Sequence, residues 1–285
     1  MPTTNSPDQS SPDRYHVRSV ERALSILKLF LTGEGELNLA EISARMHLPQ
    51  STVFRLLVTL RSSGLIEHSR NNGKYRLGST SLALGGAFLR NSDLRQSAKD
   101  SLEALRDRCG ETVHLAVLDK LEVIYLDKLS GLHPIGLMSS RVGDRSPAHC
   151  TGLGKALLAQ LSESELRERY ANTPLRRYTP NTITHLGALL KNLAEIRAQG
   201  YAVDDEEHEP GVACIAAPIF DSAGATAALS VAGPSQRINE QLKAKELPRI
   251  VRQAAAEVSA RLGGGEKAGA PATRSRRPAL TRFSS

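Results

Sequence analysis

The sequence predicts an α+β chain of two domains joined by a helix, and three observations predict it. Near the N-terminus, three amphipathic helical periods run directly into a hairpin signal. Beyond residue 110, β-rich runs alternate irregularly with helical periods, which suits a sheet with helices packed against it better than a doubly wound parallel fold. The length of 285 residues exceeds one average domain, and 40% hydrophobic residues suffice for packed cores.

Residues 1–15 are rich in Ser, Pro, Thr and Asn and are expected to form a disordered arm. From Val17 the pattern changes: Val20, Leu24, Leu27 and Leu31 recur at three- and four-residue spacing, predicting a helix over Arg18–Leu31 that stops near Gly33 and Gly35. A second helix starts after Asn38, whose side chain can cap it while Glu41 reaches back to the cap amide. Leu39, Ile42 and Met46 are its apolar face, and Pro49 ends it by pushing Leu48 out of the helical region. Pro49 suits the first turn of a third helix, Pro49–Ser62, with Val53, Leu56, Leu57 and Leu60 as its buried stripe and Gly64 as its stop. Two extended runs follow, Leu65–Ser69 and Lys74–Leu77, around Arg70-Asn71-Asn72-Gly73, where Asn and Gly accept positive φ. The first domain is therefore placed at 16–78, and the helix Ser79–Arg90 makes 79–92 a linker.

The second domain, placed at 93–263, is mixed α/β. Strands are expected at Thr112–Leu118, Val123–Leu126, Ile135–Met138, Ala213–Phe220 and Ala227–Ala232. Helices are expected at Gln96–Arg108, Gly154–Leu161, Glu163–Tyr170, Leu186–Gln199 and Asn239–Leu262. Residues 264–285 are expected to be a disordered basic tail.

Net charge is +7, carried at the two ends: residues 16–78 sum to +4, 79–263 to zero and 264–285 to +4. A basic first domain suits a phosphate backbone, although an ordinary basic surface has the same charge. No apolar run approaches the length of a membrane helix and the N-terminus lacks the pattern of a signal peptide, so a cytoplasmic protein with no membrane partner is expected. Three scattered cysteines, Cys109, Cys150 and Cys214, suit free thiols in a reducing compartment.

Two helices joined by a short turn and followed by a hairpin form a winged helix-turn-helix, in which the second helix can enter the major groove of DNA and the wing can follow its backbone. Here Gln50, Ser51, Thr52 and Arg55 would meet base edges or phosphates, and Arg70, Lys74 and Arg76 on the wing would meet phosphates. In the second domain, Thr151-Gly152-Leu153-Gly154 just before a helix could offer amide hydrogens to a carboxylate, or could serve packing alone.

The run Leu39-Ala40-Glu41-Ile42-Ser43-Ala44-Arg45 through Leu48-Pro49-Gln50-Ser51-Thr52-Val53-Phe54-Arg55-Leu56-Leu57, then Gly64-Leu65-Ile66 and Tyr75-Arg76-Leu77-Gly78, resembles the IclR family of transcription regulators. So do Ala148-His149-Cys150-Thr151-Gly152-Leu153-Gly154-Lys155-Ala156, Asp204-Asp205-Glu206-Glu207-His208 and Ala228-Leu229-Ser230-Val231-Ala232-Gly233-Pro234. The resemblance implies a winged helix, a linker helix and a GAF-like effector-binding domain, assembled as a dimer or dimer of dimers on double-stranded operator DNA. It implies an effector pocket at Gly152, Leu153, Asp204, Cys214 and Ser230, with an apolar wall at Leu137 and Met138. His47 stands where the family often has glycine, Gln50 where a basic residue is common and Phe54 where His or Tyr is frequent, so the operator sequence stays open.

The expected function is repression of a catabolic operon, relieved by a small organic, sugar or aromatic acid, with activation by the same architecture as the alternative. The Asp204–His208 run, with His149, Cys150 and Cys214, also admits a metal reading, against which stands a solvated acidic loop with one carboxylate turned inward as an acceptor. An enzyme with Cys150 or Cys214 as nucleophile and His149 or His208 as base is the remaining alternative. No nucleophile elbow or triad signature accompanies those residues, so no catalytic residue, metal or cofactor is assigned.

Overall fold

The computed structural model describes residues 17–31, 35–69, 72–90, 92–132 and 140–264. The chain divides into two compact units, Met1–Asn91 and Ser92–Ser285. The arm at 1–15, nearly all of the tail from 264, Arg70, and the strand expected at Ile135–Met138 lie outside the described residues.

In the first unit, helix α1 (Arg18–Leu29) ends two residues earlier than its periodicity suggests, because the Phe30 and Leu31 amides turn back to Leu27 and Lys28. Helix α2 (Leu39–Met46) has the expected capping box: the Glu41 amide donates to Asn38 Oδ1 at 2.9 Å and the Asn38 amide to Glu41 Oε2 at 2.7 Å. It closes on His47, whose φ of 51° is the left-handed conformation that favours glycine. Pro49 caps helix α3 (Gln50–Ser62) rather than opening it, and its carbonyl accepts from the Val53 amide at 3.1 Å. Gly64, at φ 71°, turns the chain into the antiparallel pair β1 (Ile66–His68) and β2 (Tyr75–Leu77). A third rung that periodicity did not suggest ties Leu37 to Tyr75 through two backbone bonds of 2.7 and 2.9 Å. Ile26, Leu37, Ile42, Val53, Leu57 and Ile66 are wholly buried together. Helix α4 (Ser79–Arg90) occupies the range its sequence predicts and has no buried residue.

The second unit is a six-stranded antiparallel sheet in the order β5-β4-β3-β8-β7-β6. Its strands are β3 (Thr112–Asp119), β4 (Glu122–Leu129), β5 (Arg145–Pro147), β6 (Ala202–Asp205), β7 (Val212–Asp221) and β8 (Gly224–Pro234). Helix α5 (Asp93–Cys109) precedes the sheet, α6 (Gly152–Leu158), α7 (Glu163–Tyr170) and α8 (Leu186–Gln199) are inserted in it, and α9 (Ser235–Lys243) and α10 (Glu246–Arg261) follow. Alternation along the strands sends Val113, Leu115, Ile215, Ile219, Leu229 and Val231 to one face, where α5, α9 and α10 cover them. The other face, with Ala116, Val123, Tyr125, Ala216 and Ala228, packs against α6, α7 and α8. An antiparallel sheet buried on both faces explains why its central strands read as apolar runs rather than alternating ones.

Two expectations need correction, and one strand was not foreseen. The single helix expected over Asn239–Leu262 is two, because Lys245 turns to φ 57° and Pro248 has no amide to continue an i→i−4 ladder. Asp204 and Asp205, read as the start of an acidic loop, instead end an edge strand, Ala202–Asp205, in which Asp204 is buried. Strand β5 is three residues long and ends on a proline, too short to leave a periodic signal.

Candidate functional site

In the first unit, α3 presents Gln50, Ser51 and Arg55 to solvent, with Thr52 half-buried behind them. Phe54 lies on the same outward surface, 49% exposed, followed one turn on by the exposed Val58. Large apolar side chains left in water at the start of an outward helix suit the thymine methyl and sugar edges of a groove. On the hairpin, Lys74 is half-buried and Arg76 exposed. Arg76 is already engaged: Nε and Nη2 donate to Glu67 Oε2 at 3.2 and 3.1 Å, and Nη1 lies 3.9 Å from Glu36. A phosphate would have to displace two carboxylates to use it. Arg70 lies outside the described residues.

In the second unit, register assembles a different kind of surface. Asp204 stands opposite Cys214 across β6 and β7. Ser230 on β8 faces Ala216 on one side and His114 on the other. Asp204, Cys214, Ser230 and His114 thus share the face that α6 covers, and all four are buried. This polar patch interrupts a surface that is otherwise alanine, valine and tyrosine.

Helix α6 lies against that patch without side chains between. A Cβ on Gly152 would stand 2.8 Å from Cys214 Sγ, and one on Gly154 would stand 2.3 Å from Ala148 Cα, so neither position tolerates a side chain without movement. Two of the turn's amides are used within the chain: Gly154 donates to Thr151 Oγ1 at 3.2 Å and Lys155 to Thr151 O at 2.9 Å. The glycines therefore serve close packing first. Leu153 is buried in the apolar cluster beneath the helix. Leu137 and Met138 lie outside the described residues.

Burial sets the electrostatics. Desolvation raises the Asp204 carboxyl to about 7, against the pull of the Glu207 amide, which donates to its Oδ1 at 2.8 Å. Desolvation also lifts the Cys214 thiol to about 12 and, with Asp204 nearby, the Cys150 thiol to about 12. His114 is driven down to about 3 by burial and by Lys128, so its imidazole is neutral. Glu207, pushed up by burial, pairs with Lys155 Nζ, a side chain only 1% exposed. Two atoms here lack a hydrogen-bond partner, Glu207 Oε2 and Ser230 Oγ, the latter with only the Cys214 thiol close by.

The acidic run thus turns two carboxylates inward, not one. The second, Glu207, was legible only through Lys155, a lysine among small and apolar residues in the motif before it. Tyr125 was also missed; burial pushes its phenol up to about 12, with Asp204 nearby adding to the rise. Neither buried thiol has the low pKa of a nucleophile, since Cys150 lies 3.8 Å from His208 Nδ1 but stays protonated. Among the described residues no group of His, Cys, Asp and Glu is arranged to hold a metal ion.

The comparisons agree with this division of labour. Residues 19–70 match the IclR helix-turn-helix domain, and residues 86–260 match the bacterial transcriptional regulator IclR C-terminal domain. The HTH-type transcriptional regulator XynR of Escherichia coli is 40% identical over 79% of this chain and 89% of its own. The HTH-type transcriptional repressor AllR of Salmonella typhimurium is 36% identical over 90% of this chain and 94% of its own. An IclR homologue from Microbacterium hydrocarbonoxydans, solved in complex with 4-hydroxybenzoate, superposes with a TM-score of 0.73 at 31% identity, covering 86% of this chain and 98% of that one. The chain belongs to the IclR family of bacterial transcriptional regulators: it is a DNA-binding, effector-binding protein and not an enzyme.

Proposed function

We propose that the chain is a repressor of a catabolic operon, released from its operator when a small organic, sugar or aromatic acid occupies the polar sheet face. Residues 16–78 bind DNA through Gln50, Ser51, Thr52, Arg55 and Lys74, aided by Arg70 and by Arg76 once it leaves Glu67; residues 79–92 link; residues 93–263 hold the effector. The observation that carries the ligand site is the buried tier of Asp204, Cys214 and Ser230, because an unpaired hydroxyl inside a sheet costs about 1–3 kcal/mol unless something else pairs it. Gly152 and Leu153 shape its floor, and Leu137 and Met138 complete it. The name of AllR as a repressor and the 4-hydroxybenzoate bound by the Microbacterium homologue support both halves of the reading.

The protein acts in the cytoplasm, where its DNA is, as a dimer or dimer of dimers. The first unit's exposed Val17 just before α1, Val20 and Leu24 on α1, and Leu82, Leu84 and Phe88 on α4, with Leu82 79% exposed, supply apolar surface for a second copy. Two recognition helices then engage half-sites at a fixed spacing, and the effector releases them in proportion to its differential affinity for the two arrangements.

The test pairs two variants in fluorescence anisotropy on the gene's own upstream DNA, with ligands found by thermal shift. Arg55→Ala loses operator binding and keeps ligand binding; Asp204→Ala keeps operator binding and loses the response. Loss of both activities in both variants rejects the modular account.

A further inference from the structure

His114 occupies the middle of the sheet, on β3 between β4 and β8, yet only 3% of it is exposed. The neighbouring residues on the opposite face of the same strands are Val113, Leu115, Leu229 and Val231, all wholly buried. An aliphatic side chain at 114 would spare the chain the desolvation of an imidazole, so the histidine needs a reason.

Its surroundings account for one nitrogen. Nε2 lies 3.0 Å from Ser140 Oγ, and Lys128, opposite on β4, donates from Nζ to the Ser140 carbonyl at 2.7 Å. The ring packs against Tyr125 at a centroid distance of 5.2 Å, tilted by 55°. Among the described residues only Nε2 makes a hydrogen bond. On the other side stands Ser230, whose Oγ is buried without a partner. Two neighbouring polar groups on one face, one of them a hydroxyl without a partner, stand beside Tyr125 and Cys214 and form a recognition pair.

We propose that His114 is a specificity-determining contact of the ligand, offering Nδ1 to the hydroxyl or carbonyl oxygen that Ser230 also bonds, while Nε2 anchors the chain at Ser140. This deepens the effector-site reading above and rests on it. A neutral imidazole, a neutral thiol and a hydroxyl recognise oxygen dipoles rather than full charge, which selects hydroxy or oxo acids over the same acids lacking that oxygen. A buried polar site discriminates strongly against such an analogue, because its own groups are left unpaired.

The two nitrogens can be separated by substitution. An asparagine amide nitrogen superposes on imidazole Nδ1 and a glutamine amide nitrogen on Nε2, so His114→Asn keeps the ligand-facing group and His114→Gln keeps the Ser140 anchor. Isothermal titration of the full chain with matched pairs (4-hydroxybenzoate and benzoate, lactate and propionate, pyruvate and propionate) gives the preference of each protein for the oxygenated acid. The wild type and His114→Asn should retain that preference within about threefold of each other, and His114→Gln should lose about tenfold, the loss expected for one hydrogen bond. A His114→Gln protein that retains the preference overturns the proposal, as does a His114→Asn protein that loses it while His114→Gln does not. In 15N-histidine spectra of the wild type, which need no variant to fold, the oxygenated acid should move the His114 Nδ1 resonance; an unmoved Nδ1 also overturns it. Failure of the wild type to bind any of the acids, or binding that Asp204→Ala leaves unchanged, rejects the ligand site itself and the proposal with it.

Discussion

Replacing Asp204 with asparagine tests whether burial governs the ligand site. The carboxyl goes from its ordinary value of 3.8 to about 7 in the folded chain. A folded pKa raised above the unfolded one means that the folded state holds the proton more tightly. The stability this confers is fully present below 3.8, declines through the interval, and is gone once pH exceeds about 7. The shift corresponds to about 4 kcal/mol between the two limits. Asparagine carries no charge at any of these pH values and its Oδ1 can still accept from the Glu207 amide, now 2.8 Å away. Its two N–H groups need partners, which offsets part of the gain by about 1–3 kcal/mol. Asp204→Asn is therefore expected to stabilise the second unit by about 1–3 kcal/mol at pH 8 and to lose that advantage near pH 5. Urea unfolding followed by circular dichroism at both pH values measures it, since the chain has no tryptophan. A wild-type advantage that grows from pH 5 to pH 8, or a difference independent of pH, would refute the reasoning.

Three further outcomes are expected. Lys155→Met leaves Glu207 buried and unpaired and should cost about 3–5 kcal/mol in urea unfolding, most of it recovered in the double variant with Glu207→Leu; equal instability of single and double variants would show that the ion pair is not the cause. His47→Gly relieves a left-handed residue and should raise the stability of the first unit by about 1 kcal/mol, visible as a higher melting midpoint, and a lower midpoint would contradict it. Phe54→Ala should weaken operator binding by about 1 kcal/mol while leaving the salt dependence unchanged, because no phosphate contact is removed; a shallower salt slope would place Phe54's effect elsewhere.

The helices of this chain could be read from sequence where caps and stripes coincide. Asn38 and Glu41 fixed the start of α2 because their bonds are local, and α4, α7 and α8 fell on their expected bounds. What was lost depends on distant partners. Strand β6 exists because Ala202–Asp205 finds β7, and nothing within four residues signals an edge strand. Asp204, Cys214 and Ser230 came from family resemblance, and register is what brings them together; His114 and Tyr125 came from neither, since a lone histidine in a β-run gives no sign of which face it takes. Arg76 shows the reverse: basic and on the wing as expected, it is held by Glu67, a partner nine residues back across the hairpin.

The bare seat of α6 on β7 has a mechanical consequence. Where two elements meet through long side chains, a shift of a few tenths of an ångström is taken up by rotamer changes. At Gly154 the backbone rests on the Ala148 backbone with no torsion to yield, and at Gly152 it rests on the Cys214 thiol, where a single torsion can. A molecule that pushes the Cys214 strand toward α6 therefore presses on that helix directly, and with it on Lys155, whose ammonium is paired with Glu207 in the loop after Asp204. Contact at the sheet thus reaches a helix and a loop through very few adjustable torsions, as in a linkage whose joints have little play.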